Sequence, residues 1–152
     1  MALFIDKLAV SSPDFANLGR IPDTFSADGG NDTPAIEISG PPEGTVELAL
    51  ILNDPDAPLP NGFTHWVVYG IPADTTTLDV TAPGVRVAPN GAGAATYYGP
   101  QPPAGHGEHH YFFHVYALKT PVEGEPSREE FLATYGDSVI ETARMVGTFS
   151  NS

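Results

Sequence analysis

The chain has 152 residues, 41% of them hydrophobic, and a formal net charge of −13 from 19 acidic and 6 basic side chains. That length and apolar fraction predict one domain, 1–152, with a sizeable core. The six cations, Lys7, Arg20, Arg86, Lys119, Arg128 and Arg144, are scattered, which excludes a basic nucleic-acid surface or an anionic-membrane footprint. The absence of cysteine excludes disulfides, thiolate catalysis and Cys-ligated metal. No apolar run approaches the roughly 20 residues needed to span a bilayer. The start, MALFIDKLAV, lacks a basic n-region and is broken by Asp6 and Lys7, so it does not read as a secretory signal. A cytoplasmic protein is expected.

In chain order, Leu3 to Val10 is apolar and β-branched and predicts an opening strand. Ser11 to Pro34 is loop-like, with its tightest turn at Asp28-Gly29-Gly30-Asn31-Asp32. Ala35 to Ser39 alternates as a short half-buried strand does. Gly40 to Gly44 is a turn. Thr45 to Leu52 follows, and its continuous apolar end suits a strand buried on both faces. The stretch NDPDAPLPNG, from Asn53, is too rich in proline for helix or central strand. Thr64 to Ile71, THWVVYGI, predicts a second buried strand, with Trp66 in the core. Pro72 to Gly93 reads as irregular, and Ala94 to Tyr98 as a short strand.

Gly99 to Leu118, GPQPPAGHGEHHYFFHVYAL, runs from a rigid loop into an aromatic strand and holds four of the five histidines. Side chains alternate faces along a strand, which puts His109, Tyr111, Phe113 and Val115 on one side. His110, Phe112, His114 and Tyr116 take the other, and Phe112 is expected in the core. Further on, Ser127 and Glu130 have capping-box spacing, repeated by Ser138 and Glu141. Two short helices are predicted, about 127–135 and 138–146, with Gly136 and Gly147 ending them at positive φ. Strands joined by turns, with helices only near the end, predict a mostly β protein, an antiparallel β-sandwich with two short C-terminal helices.

Four chemistries compete for the histidines. His106-x-x-His109-His110-x-x-x-His114 resembles a metal cluster, but four strand residues span about 13 Å, too far for one ion; His65, His109 and Asp54 form the remaining metal alternative. No G-x-S-x-G elbow supports a serine hydrolase. The glycine loop lacks the lysine of a Walker loop and precedes a strand, where a dinucleotide fingerprint opens a helix. A small anion pocket fits better. Glycine-loop amides and imidazoles supply donors, Tyr111 adds a phenol, and a carboxylate such as Asp54 fixes the tautomer of a neighbouring histidine.

Three blocks then carry a family resemblance: DPDAP within Asn53 to Pro58, THWVVYGI, and GP-x-PP-x-G-x-G-x-H-x-Y from Gly99 to Tyr111. With DGGNDTP before them and the EFL and VG segments after, they cover nearly the whole chain. The chain resembles the phosphatidylethanolamine-binding protein family, in its bacterial and archaeal, Raf-kinase-inhibitor-like branch. The resemblance implies a β-sandwich and a small pocket for a phosphate-like or carboxylate-like anion. Carried over by motif position, that pocket is Asp54, His65, Pro102, His109 and Tyr111, with Gly99 in the supporting loop. It also implies a non-enzymatic binding protein that regulates or inhibits a kinase or protease, needs no cofactor or metal, and leaves a homodimer open. The alternative is a hydrolase or metal-dependent enzyme using His109, His65 and Asp54. Two departures stand out. His110 replaces the arginine that usually follows the motif histidine. The C-terminal helix that borders the pocket in eukaryotic members is expected to be missing.

Overall fold

The computed structural model describes residues 7–151. Five antiparallel strands form the main sheet, in the order β5-β4-β3-β6-β7. They are β3 (Glu47–Asp54), β4 (Phe63–Pro72), β5 (Arg86–Ala88), β6 (His109–Leu118) and β7 (Val139–Phe149). A two-stranded ribbon, β1 (Ala9–Ser11) and β2 (Glu37–Ser39), lies against β6 and β7 through β1. Among the described residues one α-helix forms, α1 (Arg128–Tyr135).

The sheet's centre follows from composition. Leu48 to Leu52 of β3 are all fully buried, because the strand has covering layers on both faces. On one face Leu48, Leu50, Leu52, Trp66, Val68 and Phe113 pack with Ile21, Ile36 and Ile38. On the other, Ala49, Ile51, Val67, Tyr69 and Leu118 pack against Phe131 of α1. Burial alternates from the start of β6: His109, Tyr111 and Phe113 are buried, while His110 is exposed.

Helix α1 starts where its capping box predicts. Glu130 N–H donates to the Ser127 hydroxyl (3.2 Å), and Ser127 N–H donates to the Glu130 carboxylate (3.1 Å). The second predicted helix is instead β7. Exposure alternates from Val139 to Arg144, with Ile140, Thr142 and Arg144 outward, and the β-branched Val, Ile and Thr residues favour that period-2 strand. The second capping box does not form, since the Glu141 carboxylate accepts from the Leu8 amide (3.1 Å). Gly136 has helical φ (−52°) and caps nothing by positive φ. Gly147 is needed for space, since a Cβ there would lie 2.6 Å from Ile21 Cγ1.

Three smaller expectations change as well. Of the opening strand, residues 3–6 lie outside the described residues, and β1 begins at Ala9. Ala94 to Tyr98 is irregular, held by single bonds such as Tyr98 N–H to the His65 carbonyl (3.0 Å). Phe112 is only half-buried. It lies on the outward face, where the Arg144 guanidinium sits 5.7 Å from its ring centre.

The two neighbouring phenylalanines therefore differ in weight. Phe113→Ala should cost about 3–5 kcal/mol, and Phe112→Ala clearly less. Urea melts of the two variants measure this, and equal losses would mean that the two faces of β6 are wrongly assigned.

Candidate functional site

The C-terminal end of β3 and the N-terminal end of β6 meet at one end of the sheet, and the two proline-rich loops meet there with them. Asp54 closes β3. Its Oδ1 accepts from the Asp56 amide (2.8 Å), and Pro55 between them restricts the turn. Its Oδ2 accepts from His109 Nδ1 (2.7 Å). Both side chains are almost completely buried, at 3% and 4% exposure. A buried carboxylate needs such partners, and here both of its oxygens have one.

Because a carboxylate only accepts, His109 carries its proton on Nδ1. Its other nitrogen, Nε2, lies 2.6 Å from His106 Nδ1. With both imidazoles neutral, His106 Nδ1–H is the donor. Asp54, His109 and His106 thus form a chain from the buried end of β3 to the exposed loop.

His65 enters from β4. Its Nδ1–H donates to the Tyr98 carbonyl (2.6 Å), which leaves Nε2 with the lone pair while the ring is neutral. Burial lowers its pKa below the ordinary 6.5, against the opposing pull of the Tyr98 carbonyl and the Asp54 charge. The ring packs edge-on to Phe63 (4.8 Å between centres) and Tyr111 (5.3 Å).

The Tyr111 hydroxyl is buried and has no hydrogen-bond partner. Burial, and then the negative charge of Asp54, push its pKa far up, so it remains an O–H donor. Asp54 acts on it through charge and through a close approach of the carboxylate to the phenol, whose geometry falls short of a hydrogen bond.

These groups line one cavity of about 280 Å³, whose walls include Asp54, His65, Pro102, His109 and Tyr111. Gly99 is not in the lining. It supports the loop: its amide donates to Asn31 Oδ1 (2.6 Å), and a side chain there would collide with the Phe25 carbonyl. Three of the expected glycine-loop donors are already used. The amides of Gly99, Gly105 and His106 bond to Asn31, the Asn151 carbonyl and the Pro103 carbonyl.

His110 points away from the cavity, as strand parity required. Its backbone N–H (2.7 Å) and Nδ1 (2.8 Å) both donate to Asp56 Oδ2. Partial burial opposes ionisation of Asp56, but those two bonds outweigh it and lower its pKa. The clasp ties the NDPDAP loop to β6, so His110 serves to hold that loop and faces away from the cavity.

Sequence reasoning missed Phe63, Tyr98, Leu59 and Gln101 in the lining. It also missed Asn31, which bridges the Tyr97 carbonyl (Nδ2, 3.0 Å) and the Gly99 amide from a left-handed φ of 55°. The turn Asp28 to Asp32 carried that signal, since asparagine tolerates this conformation. Among the described residues, no group of three or more His, Cys, Asp or Glu is arranged to hold a metal ion. The alternative set His65, His109 and Asp54 therefore has a shared cavity but not a ligand geometry.

His65 and His114 both have pKa values lowered first by burial, with Arg128 and Arg144 adding to the effect at His114. A histidine depressed in the folded state contributes stability above its unfolded pKa, near 6.5, and loses it as pH falls towards the folded value. Stability measured by urea melts should therefore drop from pH 7.5 to 5.5. A flat or rising profile would show that neither ring is held neutral.

The family model for phosphatidylethanolamine-binding protein matches residues 11–150. A UPF0098 protein of Aquifex aeolicus is 38% identical over 151 residues, covering 93% of this chain and 88% of its own length. A UPF0098 protein of Methanothermobacter thermautotrophicus is 38% identical over 144 residues, covering 89% and 93%. The crystal structure of E. coli YbcL, described as a member of the mammalian PEBP family, superposes with a TM-score of 0.89 at 31% identity, over 97% of this chain and 100% of that one. Family model, sequence identity and fold similarity agree: the chain belongs to the phosphatidylethanolamine-binding protein family, in its bacterial and archaeal UPF0098/YbcL branch.

Proposed function

We propose that the chain is a non-enzymatic binding protein that seats a small phosphate-like or carboxylate-like group in the cavity between Asp54, His65, Pro102, His109 and Tyr111. The observation that carries this reading is the Tyr111 hydroxyl, a buried donor without a partner in the wall of a cavity. Leaving such a group unpaired costs about 1–3 kcal/mol, which a ligand oxygen would recover. Apolar residues at the same wall, Leu59, Phe63 and Pro103, suit an organic substituent on the anion. In this reading the bound group is a small molecule or a phosphorylated side chain of a partner such as a kinase or protease, and the chain regulates that partner in the cytoplasm. Among the described residues, no helix is long and apolar enough to cross a membrane.

The cavity's protonation pattern gives the reading a specific consequence. With both rings neutral, His65 Nε2 and His109 Nε2 are acceptors, and Tyr111 is the donor. An anion without a proton of its own must then bring one from solvent to an imidazole. Sulfate keeps its charge across this range, so its affinity should rise as pH falls from about 8 to about 6, with net proton uptake on binding. Calorimetry in two buffers of different ionisation enthalpy, at pH 8, 7 and 6, measures both quantities. Equal affinities without proton uptake would mean that neutral donors hold the anion. Turnover on an ester or phosphoester panel would replace this reading by the hydrolase alternative.

A further inference from the structure

His109 is the one cavity imidazole with both nitrogens engaged, Nδ1 by Asp54 and Nε2 by His106. A group entering the cavity cannot reach either nitrogen while that arrangement holds. His106 itself is exposed and does not line the cavity. It lies between Gly105 and Gly107, whose φ angles are 74° and 86°, in surroundings where even a Cβ would touch nothing within 4 Å. Its backbone is held by a single turn bond, His106 N–H to the Pro103 carbonyl (3.1 Å). A side chain so placed can swing without disturbing the core, since it is exposed and the loop's neighbouring tie, Gly105 N–H to the Asn151 carbonyl (3.1 Å), is a backbone bond that does not involve it. Asp54 and His109, by contrast, are fixed by the sheet.

We propose that His106 is a built-in competitor for the ligand: it occupies, with its own N–H, the nitrogen of His109 that a bound group must claim. This deepens the anion-pocket reading and rests on it. It also narrows the ligand class. While both rings are neutral, His106 is the donor to His109, so a group that replaces it must donate as well. An anion carrying an acidic hydrogen, such as monohydrogen phosphate, does this directly, whereas sulfate does not. The pocket is therefore selective for proton-bearing oxyanions, and His106 sets the threshold that they must exceed.

The test compares the wild-type protein with His106→Ala at pH 8, where an ordinary imidazole is neutral and its loss removes no charge. Inorganic phosphate, which keeps one hydrogen at this pH, is titrated by calorimetry, with sulfate as the control. Loss of one internal hydrogen bond should tighten phosphate binding in the variant by about 2- to 10-fold. Phosphate should bind more tightly than sulfate in both proteins. In ¹⁵N spectra of the wild type, the His106 ring signals should move to those of a free imidazole as phosphate is added. Equal or weaker phosphate binding by the variant would overturn the competitor role, leaving His106 neutral or a ligand. Preference for sulfate would overturn the selectivity. Absence of binding by both proteins, with the free-state His106–His109 contact still seen in the spectra, would instead reject the pocket reading itself.

Discussion

The buried pair between Asp54 and His109, 2.7 Å apart at the junction of β3 and β6, is the constraint on which the functional end of the molecule depends. Two side chains with 3% and 4% exposure cannot leave their charge and their N–H unmatched, so each fixes the other. The Asp54 carboxylate also accepts from the Asp56 amide, which sets the turn of the NDPDAP loop. Asp56 in turn takes both donors of His110, so strand β6 and that loop are tied twice, on opposite faces of one strand. The cavity lies between these ties, lined by residues of both proline-rich loops at the end of the sheet.

A formal charge of −13 makes this an unfavourable molecule for an anion to approach. None of the six lysine and arginine side chains lines the cavity. Whatever attraction the site offers has to arise locally, from imidazoles and the Tyr111 phenol at short range, where hydrogen-bond geometry outweighs the screened field of the distant carboxylates. Asp54 opposes it, since its negative charge already raises the pKa of the Tyr111 phenol in the same wall. The neutral state of His65 reflects the same balance: burial outweighs the Asp54 charge that would hold its proton.

Much of this was legible in the residues. The apolar runs of β3 and β4 announced strands buried on both faces, and parity along β6 separated His109 and Tyr111 from His110 and Phe112. Local chemistry also fixed the Ser127 cap. The failures share one cause. The segment after Gly136 has helix-compatible spacing at Val139, Ala143 and Val146, and also strand-compatible alternation. Only the open edge of β6, with Met145 pairing opposite Phe113, decides between them. Likewise, glycine-loop amides looked free for an anion because their partners, Asn31 and Asn151, are distant in sequence. Tyr98 carried no motif signal strong enough to mark it, although its carbonyl sets the tautomer of His65.

The claim at the centre is that the cavity keeps a donor unpaired for a ligand, at some expense of stability. Tyr111→Phe tests it most directly, because it removes that hydroxyl and almost nothing else. The variant should be more stable than the wild type by about 1 kcal/mol in urea melts, since a buried unsatisfied group is gone. It should also bind phosphate about 10-fold more weakly, having lost a bond to a charged group. A variant that is less stable and binds phosphate as well as the wild type would show that the hydroxyl serves the fold and that the cavity was not built around it.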